Sequence, residues 1–229
     1  GKAEEGARGV AVRAFRSVRA RAALTPSLVP ALRALFFESH AEEQRVVTRA
    51  HLERAEAHVG MEHAPAVGAL AAMAMRGAMP LLTLLEAEPL RFSASHLTVQ
   101  EYYVARAIRE EARPLPSFPW RLTSWWANTL TLGTQMGVPF QLGLLHGLGG
   151  CEEGGGGAVQ NLDLRDGQLG GHRPTALVAI SLLMQQVTSL DLSGNDLTPA
   201  EAQVISDALM TSKTLTSVAV DDHPKPTYG

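Results

Sequence analysis

The 229-residue chain has a single cysteine, Cys151, few aromatic residues and no large excess of either charge. One cysteine excludes an internal disulfide and is compatible with a reducing compartment. The formal net charge of −3 gives no general attraction to nucleic acid or to acidic membranes. Hydrophobic residues make up 45% of the sequence and charged residues 19%, which is typical of a folded chain and not of a disordered one.

The motifs of common catalytic and metal sites are also missing from the sequence. It contains no G-x-x-x-x-G-K-[ST] phosphate-binding loop, no H-E-x-x-H zinc motif and no G-x-S-x-G nucleophile elbow. His58 and His63 are five positions apart, which is not the four-residue spacing that places two histidines on one helical face. Two glutamates follow Cys151, and their negative charge disfavours a thiolate. We therefore predict a non-catalytic chain with no metal or cofactor of its own.

Residues 64–85 form an apolar stretch that is long enough in principle to cross a bilayer. The stretch contains Arg76, Gly77 and Pro80, and it is rich in alanine and methionine. A central arginine is costly to insert, and alanine offsets little of that cost. The pattern favours a buried helix followed by a strand, and we expect no membrane span.

The strongest pattern is a repeat of 28 residues near the C-terminal end. VQNLDLRDGQL begins at Val159, VTSLDLSGNDL at Val187 and LTSVAVDDHPK at Leu215. Each copy has apolar residues in the first three slots of L-x-x-L-x-L-x-x-N-x-L, which predicts a short strand with one buried face. The residue in the Asn slot turns the chain, and its amide can satisfy backbone groups inside the bend. Only Asn195 fills this slot well.

The segments between the copies predict helices. In TPAEAQVISDALMTS, Thr198 can cap the helix, Pro199 suits its first turn and Glu201 completes a capping box. RPTALVAISLLMQQ, in the preceding copy, has a similar pattern. We expect the inward face of the later helix to consist of Ala202, Ile205, Ala208 and Leu209.

A strand, a turn and a helix within 28 residues resemble the ribonuclease-inhibitor type of leucine-rich repeat over residues 159–223. The resemblance implies a stack of short parallel strands whose concave face binds a partner protein. Alternatively, the residues on that face are only solvated strand positions. The residues expected on the face are Asn161, Asp163, Arg165, Ser189, Asp191, Ser193, Ser217, Ala219 and Asp221.

Upstream of the repeats, the pattern is helices, then a small hairpin, then another helix. PSLVPALRALFFES, TRAHLERAEAH and APAVGALAAMAM predict helices, and PLLTLLEAEPLRF predicts two strands around a Glu-Ala-Glu-Pro turn. Thr98 and Glu101 predict a capping box at the start of the last helix. This is the order of elements in a winged-helix unit, at about residues 25–110.

HLTVQEYYVARAI, which starts at His96, resembles the F-x-H-x-T-F-Q-E-Y-x-A-A signature of NACHT-type NLR proteins. The resemblance implies that His96 reaches the β-phosphate of ADP bound to a nucleotide-binding core outside this chain, and helps to hold the closed, inactive state. Gln100, Glu101 and Tyr102 match the Q-E-Y, which is mostly structural in the family.

Two positions depart from that signature. Ala94 stands where an aromatic residue is expected two positions before His96, with Phe92 four positions before it, and Val99 replaces the Phe before the Gln. The plainer interpretation of His96 is a helix-start histidine that packs against Tyr103 or donates to a nearby carbonyl.

Two further segments complete the pattern. Between the winged-helix pattern and the repeats, a tryptophan-rich segment predicts a helical core that supports the first repeat. A tryptophan cluster can alternatively mark a binding hot spot. Glycine-rich residues 147–159 predict a flexible connection. The N-terminal run RGVAVRAFRSVRARAAL predicts a basic amphipathic helix, which either meets an upstream domain through its apolar side or rests on lipid or RNA. The residues expected in the helical core are Trp120, Trp125, Trp126, Leu122, Leu130 and Leu132.

The sequence thus predicts a mostly α-helical chain with a C-terminal α/β solenoid of leucine-rich repeats. We expect a basic helix at 1–24, a winged-helix-like regulatory segment at 25–112, a helical linker segment at 113–152 and the repeats at 153–229. The chain begins without a methionine or a signal-peptide pattern, so we expect it to be part of a longer protein.

The NLR resemblance implies a cytoplasmic sensor. Its expected partners are a protein held by the repeats and an upstream nucleotide-binding domain, which would bind ADP or ATP. Two alternatives belong to other classes: a stand-alone leucine-rich-repeat scaffold without nucleotide dependence, and an enzyme whose site is assembled from irregular positions.

Overall fold

The structure is a computed structural model that describes residues 26–111, 113–147, 161–166, 169 and 172–220. Within these ranges most residues are helical, and the strands form two small three-stranded sheets. The chain divides into two compact units, residues 1–103 and 104–229. The predicted basic helix at 1–24 and the glycine-rich connection from residue 148 onwards, with Cys151, lie outside the described residues.

The first unit is built from helices and a three-stranded antiparallel sheet. Strand β3 is central in the order β1–β3–β2, and Val47 and Leu84 both pair with Phe92. Phe92 is fully buried, and so is Phe36 in the first helix. The elements in chain order are α1 (residues 26–41), β1 (Val46–Thr48), α2 (Arg49–His58), α3 (Ala64–Met75), β2 (Leu82–Glu86), β3 (Arg91–Ala94) and α4 (Leu97–Glu111), which continues into the second unit.

The helices α1, α2 and α3 and the hairpin β2–β3 form where the sequence predicts them. The short strand β1 was not predicted, because three residues are too few to establish an alternating pattern. The predicted capping box of Thr98 and Glu101 is wrong. Helix α4 begins at Leu97, with only two residues between it and the end of β3, so Thr98 lies inside the first turn and not at the cap.

Residues 64–85 form a helix followed by a strand, as predicted. Helix α3 has 12 residues, so its length is about 18 Å, well short of the roughly 30 Å of a bilayer core. None of the helices in the described ranges combines the length and the apolar character that a membrane crossing requires.

The second unit contains three short parallel strands at a constant spacing in the sequence. Leu162 in β4 pairs with Leu190 in β5, and Leu190 pairs with Val218 in β6. The three residues are 28 positions apart, so the sequence repeat coincides with the register of the sheet. The elements that follow α4 are α5 (Ala127–Thr134), α6 (Val138–His146), β4 (Asn161–Asp163), α7 (Arg173–Leu183), β5 (Ser189–Asp191), α8 (Pro199–Thr211) and β6 (Ser217–Ala219).

The tryptophan-rich segment forms two 3-10 turns, Pro119–Arg121 and Ser124–Trp126, before α5. Trp120 and Trp126 are buried, whereas Trp125 is half-buried. The first turn and α5 pack against α7, the helix of the first repeat copy. The predicted support for that copy is therefore confirmed.

The predicted inward face of α8 is only partly correct. Ile205 is buried, Ala202 and Ala208 are half-buried, and Leu209 is 39% exposed. Helix α7 buries a wider stripe because α5, α6, α8 and the first 3-10 turn all pack against it. Helix α8 packs against α7, and a helix covered along one side buries a narrower set of residues.

Candidate protein-binding surface

The residues on either side of Leu162 in β4, Leu190 in β5 and Val218 in β6 form one largely polar face, which we call the strand face. The register places Asn161, Ser189 and Ser217 in one row and Asp163, Asp191 and Ala219 in the next. Leu162 and Leu190, between the rows, are buried because successive side chains on a strand point to opposite sides. The structure therefore brings together the predicted residues of this face, except Asp221, which lies outside the described residues.

Arg165 links the two aspartates of the strand face. Its guanidinium donates to Asp163, with Nη2 to Oδ2 at 2.7 Å and Nε to Oδ1 at 2.9 Å, and its Nε lies 3.7 Å from Asp191 Oδ2. These hydrogen bonds lower the pKa of Asp163 and raise that of Arg165. Asp191 Oδ1 accepts from the hydroxyl of Ser193 at 2.7 Å and from its backbone N–H at 3.0 Å, which lowers the pKa of Asp191.

Both aspartates are therefore ionised at neutral pH, and each is already oriented by a neighbour. Two carboxylates and one guanidinium give this part of the face a net negative charge. Asp163 and Arg165 are largely exposed and Asp191 is partly exposed, so each ion pair contributes little to stability and remains available for exchange with a partner. The strand face is suited to recognising a surface that presents basic and hydrogen-bonding side chains.

Asn195 holds the turn after β5 in place. Its side chain is buried, and Nδ2 donates to the carbonyls of Leu192 at 2.8 Å and of Leu164 at 2.6 Å. Its Oδ1 accepts from the backbone N–H of Leu169 at 3.2 Å. Leu164 and Leu169 belong to the preceding copy, so one side chain ties two consecutive turns together. The predicted role of the Asn slot is confirmed.

A second link joins the helices of the two copies. Arg173 lies in the first turn of α7 and Glu201 in the first turn of α8, 28 residues apart. Arg173 donates to Glu201 through Nε and Nη2, each at 2.9 Å, and Nη1 donates to the carbonyl of Asn195 at 3.2 Å. Thr198 and Glu201 form the predicted capping box. The sequence did not reveal the Arg173 contact, although the 28-residue spacing between the two charges was a usable signal.

The Arg173 link predicts a pH-dependent stability. Hydrogen bonds from Arg173, and then from the backbone of Thr198, lower the pKa of Glu201 from about 4.5 to about 2. A carboxyl whose pKa is lower in the folded state contributes fully above pH 4.5 and loses that contribution as the pH falls towards 2. Because both partners are partly exposed, we expect Glu201→Gln to lower the free energy of unfolding at pH 7 by about 1–2 kcal/mol.

Urea titrations of the wild type and Glu201→Gln at pH 7 and at pH 3 measure this effect. The difference between the two proteins should shrink at the lower pH. Asp207→Asn, on the same helix and exposed, is the matched control and should change stability by no more than about 0.5 kcal/mol. An equal loss at both pH values would exclude an ionised Glu201 as the cause.

His96 lies between β3 and α4, and its side chain is exposed. In the part of the chain that the structure describes, it makes no side-chain hydrogen bond or ion pair. Tyr103 instead has its ring near Phe36, with centroids 5.9 Å apart, and near Tyr102 at 5.5 Å. The interpretation of His96 as a packed or hydrogen-bonded histidine is therefore not supported, and its imidazole is accessible.

Gln100, in the first turns of α4, has a structural position. It is fully buried, and Nε2 donates to the hydroxyl of Ser39 at 3.2 Å and to the carbonyl of Gln44 at 2.8 Å. These bonds join α4 to α1 and to the loop before β1. Gln100 thus anchors the first turns of α4, which follow His96, within the first unit.

The structure also contains a polar network between α1 and α2 that the sequence did not indicate. Glu38 accepts from Arg54 Nε at 3.1 Å and pairs with His58 Nδ1 at 2.9 Å. Glu42 pairs with His51 Nε2 at 3.0 Å and also accepts from Arg54. Glu38 in α1 and Glu42 just after its end therefore face basic groups on α2. The four-residue spacing of the two carboxylates is the only signal that the sequence offered.

His51 in this network is a structural histidine. The backbone N–H of Thr48 donates to its Nδ1 at 3.0 Å, so Nε2 must carry the proton that is shared with Glu42. The Thr48 hydroxyl lies 3.1 Å from the same Nδ1. Since the lone pair of Nδ1 is used by the backbone of Thr48, His51 is not an available base for that hydroxyl.

An open cleft of about 370 Å³ lies in the second unit and is lined by Leu115, Ser117, Phe118, Arg121 and Gly147. The Phe118 ring stacks on Trp120 with centroids 5.0 Å apart. The polar side chains of the cleft are one hydroxyl and one guanidinium, which do not form an acid–base pair. Among the described residues, no cluster of three or more histidine, cysteine, aspartate or glutamate side chains could hold a metal ion.

Comparisons of the chain with protein-family models, with curated proteins and with solved structures gave no match.

Proposed function

We propose that this chain is a regulatory and protein-binding part of an NLR-like sensor and that it has no catalytic site of its own. In this proposal a winged-helix unit is followed by leucine-rich-repeat coils that bind a partner protein. The observation that carries the proposal is the register of Leu162, Leu190 and Val218, in which a 28-residue sequence repeat coincides with neighbouring parallel strands. Asn195, which bonds across two successive turns, supports the same interpretation.

The first unit supports the winged-helix part of the proposal. Its element order, helix–strand–helix–helix–strand–strand, and its strand order β1–β3–β2 are those of a winged helix. In a DNA-binding unit of this kind the third helix carries basic side chains that contact phosphates. Helix α3, APAVGALAAMAM, contains no charged or polar side chain. This composition favours a regulatory, protein-packing role over nucleic-acid binding.

The regulatory step would be a shift between two packing states. His96, exposed at the start of α4, would contact the β-phosphate of ADP on a nucleotide-binding core outside this chain. A partner that binds the strand face more tightly in one state than in the other would shift the population towards that state. ADP or ATP is thus a ligand of the whole sensor, and this chain contributes one contact to it.

The test of the protein-binding role is a charge reversal on the strand face. We expect the double variant Asp163→Arg, Asp191→Arg to lose a partner that the wild type retains in affinity capture, because the row that contains both aspartates would present like charges to a basic surface. Both positions are at least partly exposed, so folding should be preserved and can be checked by circular dichroism.

The matched control is Glu53→Arg with Asp207→Arg, which makes the same change in net charge at exposed helical positions outside the strand face. The proposal requires that the control keep the partner identified with the wild type. Equal retention by the strand-face variant and the control would place binding elsewhere and overturn the proposed role of the face.

A stand-alone repeat scaffold is the second candidate, and the accessibility of His96 does not require a nucleotide. The gene sequence upstream of Gly1 distinguishes the two. A G-x-x-x-x-G-K-[ST] motif within a few hundred codons supports the sensor. A start codon directly upstream, with no such motif, would favour the scaffold.

A further inference from the structure

Helix α3 presents an apolar face to the solvent. Its inner residues Ala66, Val67 and Leu70 are fully buried, but Met75 is 52% exposed, and Met61, just before the helix, is 95% exposed. Isolated exposed apolar residues are ordinary, whereas a whole helix without a polar side chain needs a cover. The outward residues, which are exposed or half-buried, are Pro65, Gly68, Ala69, Ala72, Met73 and Met75. We call them the α3 face.

Two carboxylates border the α3 face, and the exposed Arg76 follows its last residue. A Cβ atom added to Gly68 would lie 3.7 Å from Glu56 Oε1, which places this carboxylate of α2 directly beside the face. Glu62, two residues before α3, has a side chain that is 81% exposed and lies 3.1 Å from His63 Nε2. The surface therefore offers an apolar strip with negative charge at its start and along one side.

The chain enters the first unit at the beginning of this face. The hydroxyl of Ser27, in the first turn described for α1, lies 3.0 Å from Nδ1 of His63, the N-cap residue of α3. The residues that precede Ser27 therefore join the first unit close to the start of α3. A short link, residues 22–25, suffices to bring an upstream segment onto the face.

The sequence upstream of this attachment point is complementary to the α3 face. Residues 6–25 contain no acidic residue. Val12, Phe15 and Val18 recur every third position, and an arginine follows each of them. The set of arginines in this segment is Arg8, Arg13, Arg16, Arg19 and Arg21.

We propose that residues 8–21 dock on the α3 face of the same chain, with Val12, Phe15 and Val18 against its apolar strip and arginines beside Glu56 and Glu62. The lengths match, because 14 residues in a helix span about 21 Å and α3 spans about 18 Å. Tethering raises the effective concentration of the segment at the face to the millimolar range, so a modest intrinsic affinity is sufficient. The docked segment would cover the α3 face. This inference does not depend on the function proposed for the strand face.

The test uses the full chain with Cys151→Ser and a nitroxide spin label on Ser17→Cys, a position outside the apolar set. Methyl groups of Ala69, Ala72 and Met73 are observed by NMR. We expect strong broadening of these three signals in the labelled protein, and no comparable effect on the methyl of Ala50, which is exposed at the start of α2.

Two variants separate docking from simple proximity. Arg16→Glu with Arg19→Glu reverses the charges of the segment, and about 1 M salt reduces the Debye length to about 3 Å. Each should cause loss of most of the broadening. Gly68→Arg places a long cation on the α3 face, where the structure leaves room for a side chain, and should have the same effect without unfolding the unit. Ala50→Arg is its matched control and should leave the broadening unchanged.

Absence of broadening in the parent protein, or its persistence in Gly68→Arg, would overturn the proposal. A mixture of spin-labelled chains and separately isotope-labelled chains identifies the source of any effect. Broadening that is retained in the mixture would assign the segment to a second copy and refute docking within one chain.

Discussion

Replacing Asn195 with alanine is expected to lower the free energy of unfolding of the second unit by about 3–5 kcal/mol. The substitution removes three hydrogen bonds at once. The carbonyls of Leu164 and Leu192 lose their donor, and the N–H of Leu169 loses its acceptor. Each buried backbone group that loses its partner costs about 1–3 kcal/mol, and local relaxation recovers part of the sum. Urea denaturation followed by circular dichroism measures the effect. The dependence of the free energy of unfolding on urea concentration should be compared between the two proteins.

The matched control for Asn195→Ala is Gln203→Ala, which removes a side-chain amide from an exposed position of α8. It should change the free energy of unfolding by no more than about 0.5 kcal/mol. A loss below about 1 kcal/mol in Asn195→Ala would mean that its amide does not join the two turns, and would remove one support of the repeat interpretation.

Gly143→Ala is expected to cost more than about 3 kcal/mol, although alanine is the better helix former by about 1 kcal/mol. Gly143 lies in α6, and a Cβ there would be 1.9 Å from the carbonyl oxygen of Ile108 and 2.7 Å from its carbonyl carbon. Both atoms belong to the backbone of α4, so relief requires that one helix move away from the other. Thermal and urea unfolding of the variant measure the loss.

Gly68→Ala is the control, and we expect it to raise the free energy of unfolding, whereas Gly143→Ala should lower it. Among the residues that the structure describes, its Cβ would meet Glu56 Oε1 alone, at an ordinary contact distance of 3.7 Å. We expect Gly68→Ala to stabilise the first unit by about 0.5–1 kcal/mol through helix propensity alone. If Gly143→Ala and Gly68→Ala changed the free energy of unfolding in the same direction, the close approach of α4 and α6 would be contradicted.

The parts of the fold that the sequence predicted are those with local and periodic signals. The 28-residue repeat indicated the positions of β4, β5 and β6. Its apolar slots are buried in the first two copies, at Leu162 and Leu190, whereas in the third copy Val218 is half-buried and Val220 is 47% exposed. The capping box at Thr198 and Glu201 was also visible, since its two residues lie within one helical turn. For the same reason, the residues of the strand face could be named before their geometry was known.

The parts that the sequence did not predict depend on contacts between distant residues. Thr98 had the residue type of a cap, but the short passage from β3 into α4 places the start of the helix at Leu97. The burial of α8 depends on how many helices cover it, which periodicity does not report. The contact of Gly143 with Ile108 has no sequence signal, because a glycine within a helix indicates a close approach without naming the neighbour.

The pairing of charges was likewise invisible. Arg165 was predicted only as a member of the strand face, and its position between Asp163 and Asp191 follows from the strand register. The link from Arg173 to Glu201 requires that two helix starts lie side by side. Side-chain contacts of this kind become predictable only when the stacking of the copies is assumed.

That stacking is the central claim, and methyl NOEs in a chain with labelled leucine and valine methyl groups test it most directly. Neighbouring parallel strands lie about 4.8 Å apart, so cross-peaks are expected between Leu162 and Leu190 and between Leu190 and Val218. Leu162 and Val218, separated by two strand spacings, should give none. If Leu190 shows cross-peaks to neither of the other two, the strands are not adjacent, and the repeat coils with their binding face are contradicted.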